Sequence, residues 1–311
     1  MRAVRGTPPG VKVVETEVPA GAGELVRVAA VGVCASDLRY LRRGSTQVIG
    51  HEIAGTTTDG TPVAVEGMAR CGTCEWCAHG RYNLCRLAGT DILGMTVPGG
   101  MAEYFRAPAT ALVPLPPELP LHDAALVEPA AVSWHACRKG GVGPATRVAV
   151  VGAGTIGMLA VAAALRHGAP EVALATRHLY QTEAGERLGA SRPSGSYDVV
   201  VEATGSESGL SRAVELVRPL GTVVTVGVFP PDLRWPSRAA FLKEATVVPS
   251  MSYARDDTGA PELAHAARLL AERPEIARTL ITHRFPLDDA EHAFEVAAAR
   301  RPGTFKVVVH P

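Results

Sequence analysis

The amino-acid sequence predicts an α/β protein built from two unlike parts, a β-rich unit and a doubly wound parallel sheet. Three observations predict it. The chain has 311 residues, which exceeds one typical domain of about 100–200 residues and makes two domains the expectation. From Glu24 to Val113, short Val-, Ala- and Thr-rich segments such as ELVRVAAVGV and TPVAVEG alternate with Gly, Pro and Asp turns, the punctuation of a compact β-rich domain. From Arg147 onward, strands at RVAVV, EVALAT, YDVVVEATG and GTVVTVGV alternate with helical segments, the pattern of a parallel sheet with covering helices.

Composition narrows the partners. Hydrophobic residues make up 47% of the chain, enough for a sizeable core, and Lys+Arg balance Asp+Glu at 31 each. That balance removes the electrostatic basis for nucleic acid or a membrane surface as the main partner and leaves a small-molecule substrate. The opening MRAVRGTPPG lacks the apolar segment of a signal peptide. The longest apolar run, Met158 to Leu165, is far shorter than the roughly 18 residues of a membrane span. A cytoplasmic, reducing location is expected.

Taken in chain order, GVCASDLRY supplies Cys34 and VIGHEIAG supplies His51 and Glu52, while LVEPAAV later supplies Glu128. Alone, a Cys is usually a core residue and a GHE triplet a turn. Together, one thiolate, one imidazole and one carboxylate would make a mixed three-ligand zinc site with an open position, the form suited to catalysis.

The stretch CGTCEWCAHGRYNLC places Cys71, Cys74, Cys77 and Cys85 in a C-x2-C-x2-C-x7-C pattern. In a reducing compartment such clustering points to metal rather than disulfides. Four thiolates fill a tetrahedral zinc and leave no place for substrate, so this site is read as structural. An iron–sulfur cluster or a coincidental group of thiols is the alternative. Trp76, inside the loop, reads as a lobe or interface contact.

After the proline cluster VPLPPELP comes an alanine-rich helical stretch, in which His135 and Cys137 read as packed helix residues. Gly152, Gly154 and Gly157 then form GxGxxG directly after the strand Arg147–Val151, with Thr155 and Ile156 opening the helix. The first glycine permits a tight turn, the second lets a pyrophosphate approach the backbone, and the third lets the helix close on the sheet. Pyrophosphate would lie at the positive end of that helix. At the end of the second strand an NAD site wants a carboxylate, and this chain has Thr176, Arg177 and His178. A hydroxyl, a permanent cation and a titratable ring suit a 2′-phosphate, so NADP(H) is expected over NAD(H); the bland alternative makes Arg177 the cap of a surface turn. Thr204 and Gly227, in the later strand segments, complete the candidate cofactor-binding set. The tail carries an amphipathic helix and a last strand, FKVVV.

In their order GVCASD, GHE, the four-cysteine loop, VEP, VVGAGTIG, VVEATG and KVVV, these motifs cover nearly the whole chain. By them the chain resembles the zinc-containing medium-chain dehydrogenase/reductases, the alcohol and polyol dehydrogenases. The resemblance implies a GroES-like catalytic domain from residues 1–130 and 285–311, carrying the structural zinc lobe, around a Rossmann NADP-binding domain at 131–284. It implies one catalytic and one structural zinc. Cys34 and His51 map onto the family's catalytic ligands; Glu128 stands at the third position, while Glu52 is the coordinating residue in some polyol dehydrogenases, and the sequence leaves the two open. Ser36 stands where the family has a hydroxyl that bonds the reacting oxygen, and Asp37 where a residue orients the site. Arg39 replaces a relay histidine, a role closed to a guanidinium that stays protonated.

The implied activity is hydride exchange between NADP(H) and a secondary alcohol, polyol or cyclitol and its ketone. A homodimer or homotetramer is expected, with GTVVTVGV as the pairing edge. The alternatives are a zinc-free enoyl- or quinone-type reductase of the same superfamily and a non-catalytic nucleotide-binding protein. Two features depart from the pattern. The basic run LRYLRRG, with Arg39, Arg42 and Arg43, lies between two ligand positions and reads either as a contact to an anionic or polyhydroxylated substrate or as a solvated helix face. The stretch between Arg177 and Asp198 is short for a strand plus two helices, so the nucleotide half is expected to lack an element.

Overall fold

The computed structural model describes every residue from Met1 to Pro311. Its first strands are β1 (Arg2–Thr7), β2 (Gly10–Glu15), β3 (Glu24–Val33), β4 (Glu52–Thr57), β5 (Pro62–Val65), β6 (Tyr104–Ala107) and β7 (Leu112–Pro114). These are followed by β8 (Arg147–Val151), β9 (Glu171–Ala175), β10 (Tyr197–Glu202), β11 (Val217–Thr225), β12 (Thr246–Pro249), β13 (Ile281–Pro286) and β14 (Lys306–His310). The helices are α1 (Ala35–Arg42), α2 (Glu75–Ala78), α3 (Arg86–Thr90), α4 (Val127–Lys139), α5 (Thr155–Arg166) and α6 (Leu179–Arg187). Next come α7 (Glu207–Leu216), α8 (Ser237–Leu242), α9 (Glu262–Glu272), α10 (Glu275–Leu280) and α11 (Ala290–Ala299). No helix is long and apolar enough to cross a membrane.

The chain divides into one unit of Met1–Glu128 with Ala254–Pro311 and a second of Pro129–Tyr253. Residues 254–284, expected in the nucleotide-binding half, therefore fall in the first unit. Backbone pairing is the reason: Arg255 N donates to Gly80 O at 2.9 Å, and β13 pairs in parallel with β14.

In the first unit β1 and β2 form a hairpin, and a larger sheet runs β13, β14, β3, β4, β5, β7, with β6 also on β3. The long strand β3 is its spine, antiparallel to β14, β4 and β6. Strand β14 is apolar on both faces. Val307 and Val309 join Val31, Ile53, Phe105 and Phe294 in the main core, while Val308 packs with Ala30 and Ala125 on the other side. Each such buried side chain contributes about 1.5–3 kcal/mol, which is why KVVV reads as an unbroken hydrophobic run. Lys306 lies on the same face as Val308 by the two-residue period of a strand, and is 4% exposed.

The second unit holds five parallel strands in the order β12, β11, β10, β8, β9. Its core joins Ala149, Val151, Val200 and Val223 from the sheet to Leu210 and Val214 of α7. The stretch GTVVTVGV, whose first five residues end strand β11, is not an edge. It is flanked by β10 and β12, because the chain crosses over once more through α8 and adds TVVP outside it. Between β9 and β10 there is one helix, α6, and a single parallel bridge from Ala173 to Ser191 where a further strand would run. That stretch therefore carries one helix and no strand of its own.

Candidate active site

The turn from β3 into α1 builds the first donor set. Cys34 is extended at the helix N-terminus, and its N–H donates to Asp37 Oδ2 at 2.9 Å, a first-turn acid at the positive helix end. Asp37 is fully buried, and its other oxygen lies 3.1 Å from His51 Nδ1. One carboxylate therefore bonds the Cys34 backbone and stands at ion-pair distance from the His51 ring. With Nδ1 facing Asp37, the ring atom left for a metal would be Nε2, which lies 3.3 Å from Ser36 Oγ. Burial by itself would lower the His51 pKa, but the charges and hydrogen bonds of Asp37, then Cys34, outweigh it and raise the imidazole well above its ordinary value.

Glu52 follows at the head of β4. Ligand atoms of Cys34, His51 and Glu52 all lie within 4.8 Å of one another. Both Glu52 oxygens also accept from Lys306 Nζ at 2.7 Å. Gly32, opposite Glu52 in the β3–β4 ladder, makes this possible, since a Cβ there would collide with Glu52 Oε2. Burial pulls the Lys306 ammonium down, while Glu52 and Cys34, with Glu128 further off, hold its pKa above the usual lysine value. Glu128, in the first turn of α4, is half-buried and lies outside the three-donor group.

The four-cysteine loop closes as its spacing predicts. All four Sγ atoms fall within 4.8 Å, with Cys74 and Cys77 3.6 Å apart, and no disulfide is formed. Backbone N–H groups of Cys71 and Cys74 point at Cys85 Sγ and Cys71 Sγ at 3.4 and 3.3 Å. Hydrogen bonds from Thr73, backbone first, draw the Cys71 thiol down to about 5, while burial pushes Cys77 up to about 12. Four thiolates this close repel one another, and a bound cation would offset that repulsion. Trp76 stands 39% exposed on the lobe.

The glycine turn sits at the carboxyl end of β8. Gly154 caps α5, and a Cβ at Gly157 would overlap the Gly152 carbonyl, so the helix closes on the strand only with glycine there. Thr155 and Ile156 form the first turn of α5. Thr204 and Gly227 gather at the same sheet end, organised by the buried Glu202: its carboxylate accepts from Thr204 N at 2.8 Å and Gly205 N at 3.1 Å, and its carbonyl from Val226 N at 2.9 Å. Past β9, Thr176 Oγ1 is 2.6 Å from Thr182 Oγ1, Arg177 is exposed, and His178 stacks on Tyr180 with ring centroids 5.6 Å apart. His135 and Cys137 are buried in α4, and burial pushes the Cys137 thiol up to about 12.

Comparison with known proteins agrees with this arrangement. Residues 21–117 match the alcohol dehydrogenase GroES-like domain and residues 168–309 the zinc-binding dehydrogenase family. L-galactonate-5-dehydrogenase of Escherichia coli K12 is 31% identical over 314 residues, covering 90% of this chain and 89% of its own. The chain belongs to the zinc-containing medium-chain dehydrogenase/reductases. Two solved members of similar shape are galactitol-1-phosphate dehydrogenase from Escherichia coli and a protein of Sinorhizobium meliloti 1021 described as a zinc-binding dehydrogenase and bound to NADP. The first has a TM-score of 0.89, 27% identity and full coverage of both chains. The second has a TM-score of 0.86, 28% identity, and covers 100% of this chain and 99% of its own.

Both donor sets of this dehydrogenase fit zinc: four sulfurs for a closed site, and sulfur, nitrogen and oxygen for one with room for a further ligand. Sequence reasoning missed Lys306 and the double role of Asp37. The signal for Asp37 is its place three residues after Cys34, the capping spacing.

Proposed function

We propose that this dehydrogenase uses NADP(H) and acts on a secondary hydroxyl of a polyol or cyclitol, in equilibrium with its ketone. The observation that carries the cofactor preference is the end of β9, where Thr176, Arg177 and His178 replace the carboxylate that would hold a ribose 2′-hydroxyl. Arg177 is exposed and has only its backbone N–H engaged, by Gln181 Oε1 at 3.2 Å, so its guanidinium is available to a phosphate. The polyol reading draws support from relatives named for L-galactonate, sorbitol and D-xylulose.

In this proposal Cys34, His51 and Glu52 hold the catalytic zinc, and Glu128 is not among its ligands. Bound zinc would supply Lewis acidity that makes a substrate hydroxyl a stronger acid, and a bound nicotinamide would carry the hydride. Asp37 faces Nδ1 of the imidazole, which turns Nε2, beside Ser36 Oγ, toward the other donors. Lys306 offsets the charge of Glu52, so the donor set does not fully neutralise a dication. Ser36 Oγ is the hydroxyl assigned to hydrogen-bond the reacting oxygen. Arg39 takes no part in proton transfer.

The test is kcat/KM for NADPH against NADH over a panel of secondary alcohols, cyclitols and sugar-derived ketones, followed by nicotinamide absorbance. A preference for NADPH of about tenfold or more is expected from one charge-assisted contact. A clear preference for NADH overturns it.

A further inference from the structure

Arg39 is the charged group beside the donor set that the dehydrogenase chemistry leaves unused. Along α1, Ser36, Arg39 and Tyr40 are three and four residues apart and share one face, whereas Asp37 and Leu41 form the buried face. Two of the three are tied to His51. Ser36 Oγ is 3.3 Å from Nε2, and the Tyr40 ring centroid is 6.2 Å from that of the imidazole. The third is a permanent cation, half-buried, with no carboxylate within ion-pair distance. Other half-buried arginines are matched: Arg70 holds Glu66 at 2.5 Å and Arg273 holds Glu275 at 2.7 Å. Nor are the acids near Arg39 unclaimed, since Asp37 serves Cys34 and His51 while Glu52 serves Lys306. Arg42 and Arg43, the other cations of the run, are exposed and solvated.

A partly desolvated guanidinium without an internal counter-ion, one turn of helix from the reacting centre, is a receptor for an anion. Its planar fork suits two oxygens of a carboxylate or phosphate. We propose that Arg39 is a specificity-determining residue which receives the anionic group of a polyhydroxylated substrate, a sugar acid or a sugar phosphate. The offset of three residues separates the Ser36 and Arg39 backbones by about 4.5 Å along the axis, so the two side chains can meet different parts of one extended substrate. This rests on the dehydrogenase reading above and adds the charge of the substrate to it.

The experiment uses the zinc-loaded full-length enzyme with NADP+ and three matched probes, D-sorbitol, D-gluconate and D-sorbitol 6-phosphate. In the wild type, kcat/KM for at least one anionic probe should exceed that for sorbitol by about tenfold, a preference that weakens with salt. Which anion is favoured distinguishes carboxylate from phosphate. Arg39→Gln should erase the preference through KM with kcat little changed, Arg39→Lys should restore part of it, and Arg42→Gln should leave it intact. Equal or better turnover of sorbitol by the wild type, or equal losses on all three probes in Arg39→Gln, overturns the proposal. If none of the probes is oxidised, the polyol reading fails on them, yet calorimetric titration of the same probes still reads Arg39: affinity for an anionic probe should fall about tenfold in Arg39→Gln. Unchanged affinity overturns the assignment independently of turnover.

Discussion

The four-cysteine lobe and the Cys34 cluster each gather soft donors within 4.8 Å, but they are assembled in different ways. The lobe takes all four sulfurs from the fifteen residues Cys71 to Cys85 and satisfies them largely with its own backbone N–H groups. The other cluster joins Cys34 and His51 to Glu52, and Glu52 to a lysine 254 positions away. A lobe that is complete within itself can only hold chain together. Asp37, Ser36 and Lys306 surround the other cluster, whose three donors would leave a bound zinc room for a further ligand, as the proposed turnover requires.

That difference can be probed at Lys306 first, where the largest effect is expected. Lys306→Met leaves the buried Glu52 without its partner, a loss of about 3–5 kcal/mol in metal-free protein read by denaturant unfolding. Zinc-loaded protein should lose less, because a dication then faces the same carboxylate. The lysine pKa is raised in the fold, so its contribution is whole below the unfolded value of about 10.4 and fades only as pH rises through the folded one. The deficit should therefore stay level from about pH 6 to 9. No deficit in metal-free protein would mean the pair does not assemble the site.

Asp37→Asn should act more gently, lowering zinc retention or kcat/KM by about 10–100-fold while leaving the lobe metal in place. Loss of both metals together would erase the distinction between the two regions.

The same contrast governs what the sequence reveals. Cys71 to Cys85 and Gly152 to Gly157 are legible because their chemistry is carried by neighbours in one turn or loop, where spacing is geometry. Lys306 is not. KVVV announces a strand, and only the antiparallel register of β14, β3 and β4 brings its first residue over Gly32 to Glu52. Glu52 and Glu128 carry the same side chain, so chemistry alone cannot rank them; the strand places one inside the donor group and the helix places the other outside it. The outer strand β12 is four residues ending in proline, too short a signal to displace GTVVTVGV from the expected edge. Residues 254–284 changed units through backbone pairing that no local pattern encodes.

The most direct test of the central claim, that one zinc centre holds the fold and the other does the chemistry, compares Cys74→Ser with Cys34→Ser by zinc content, melting temperature and activity per folded molecule. Each variant should lose one zinc. Cys74→Ser should melt several degrees lower but keep its turnover, whereas Cys34→Ser should keep its stability and lose about 10³-fold or more in kcat/KM. Equal phenotypes in the two variants, or full turnover in Cys34→Ser, would contradict it.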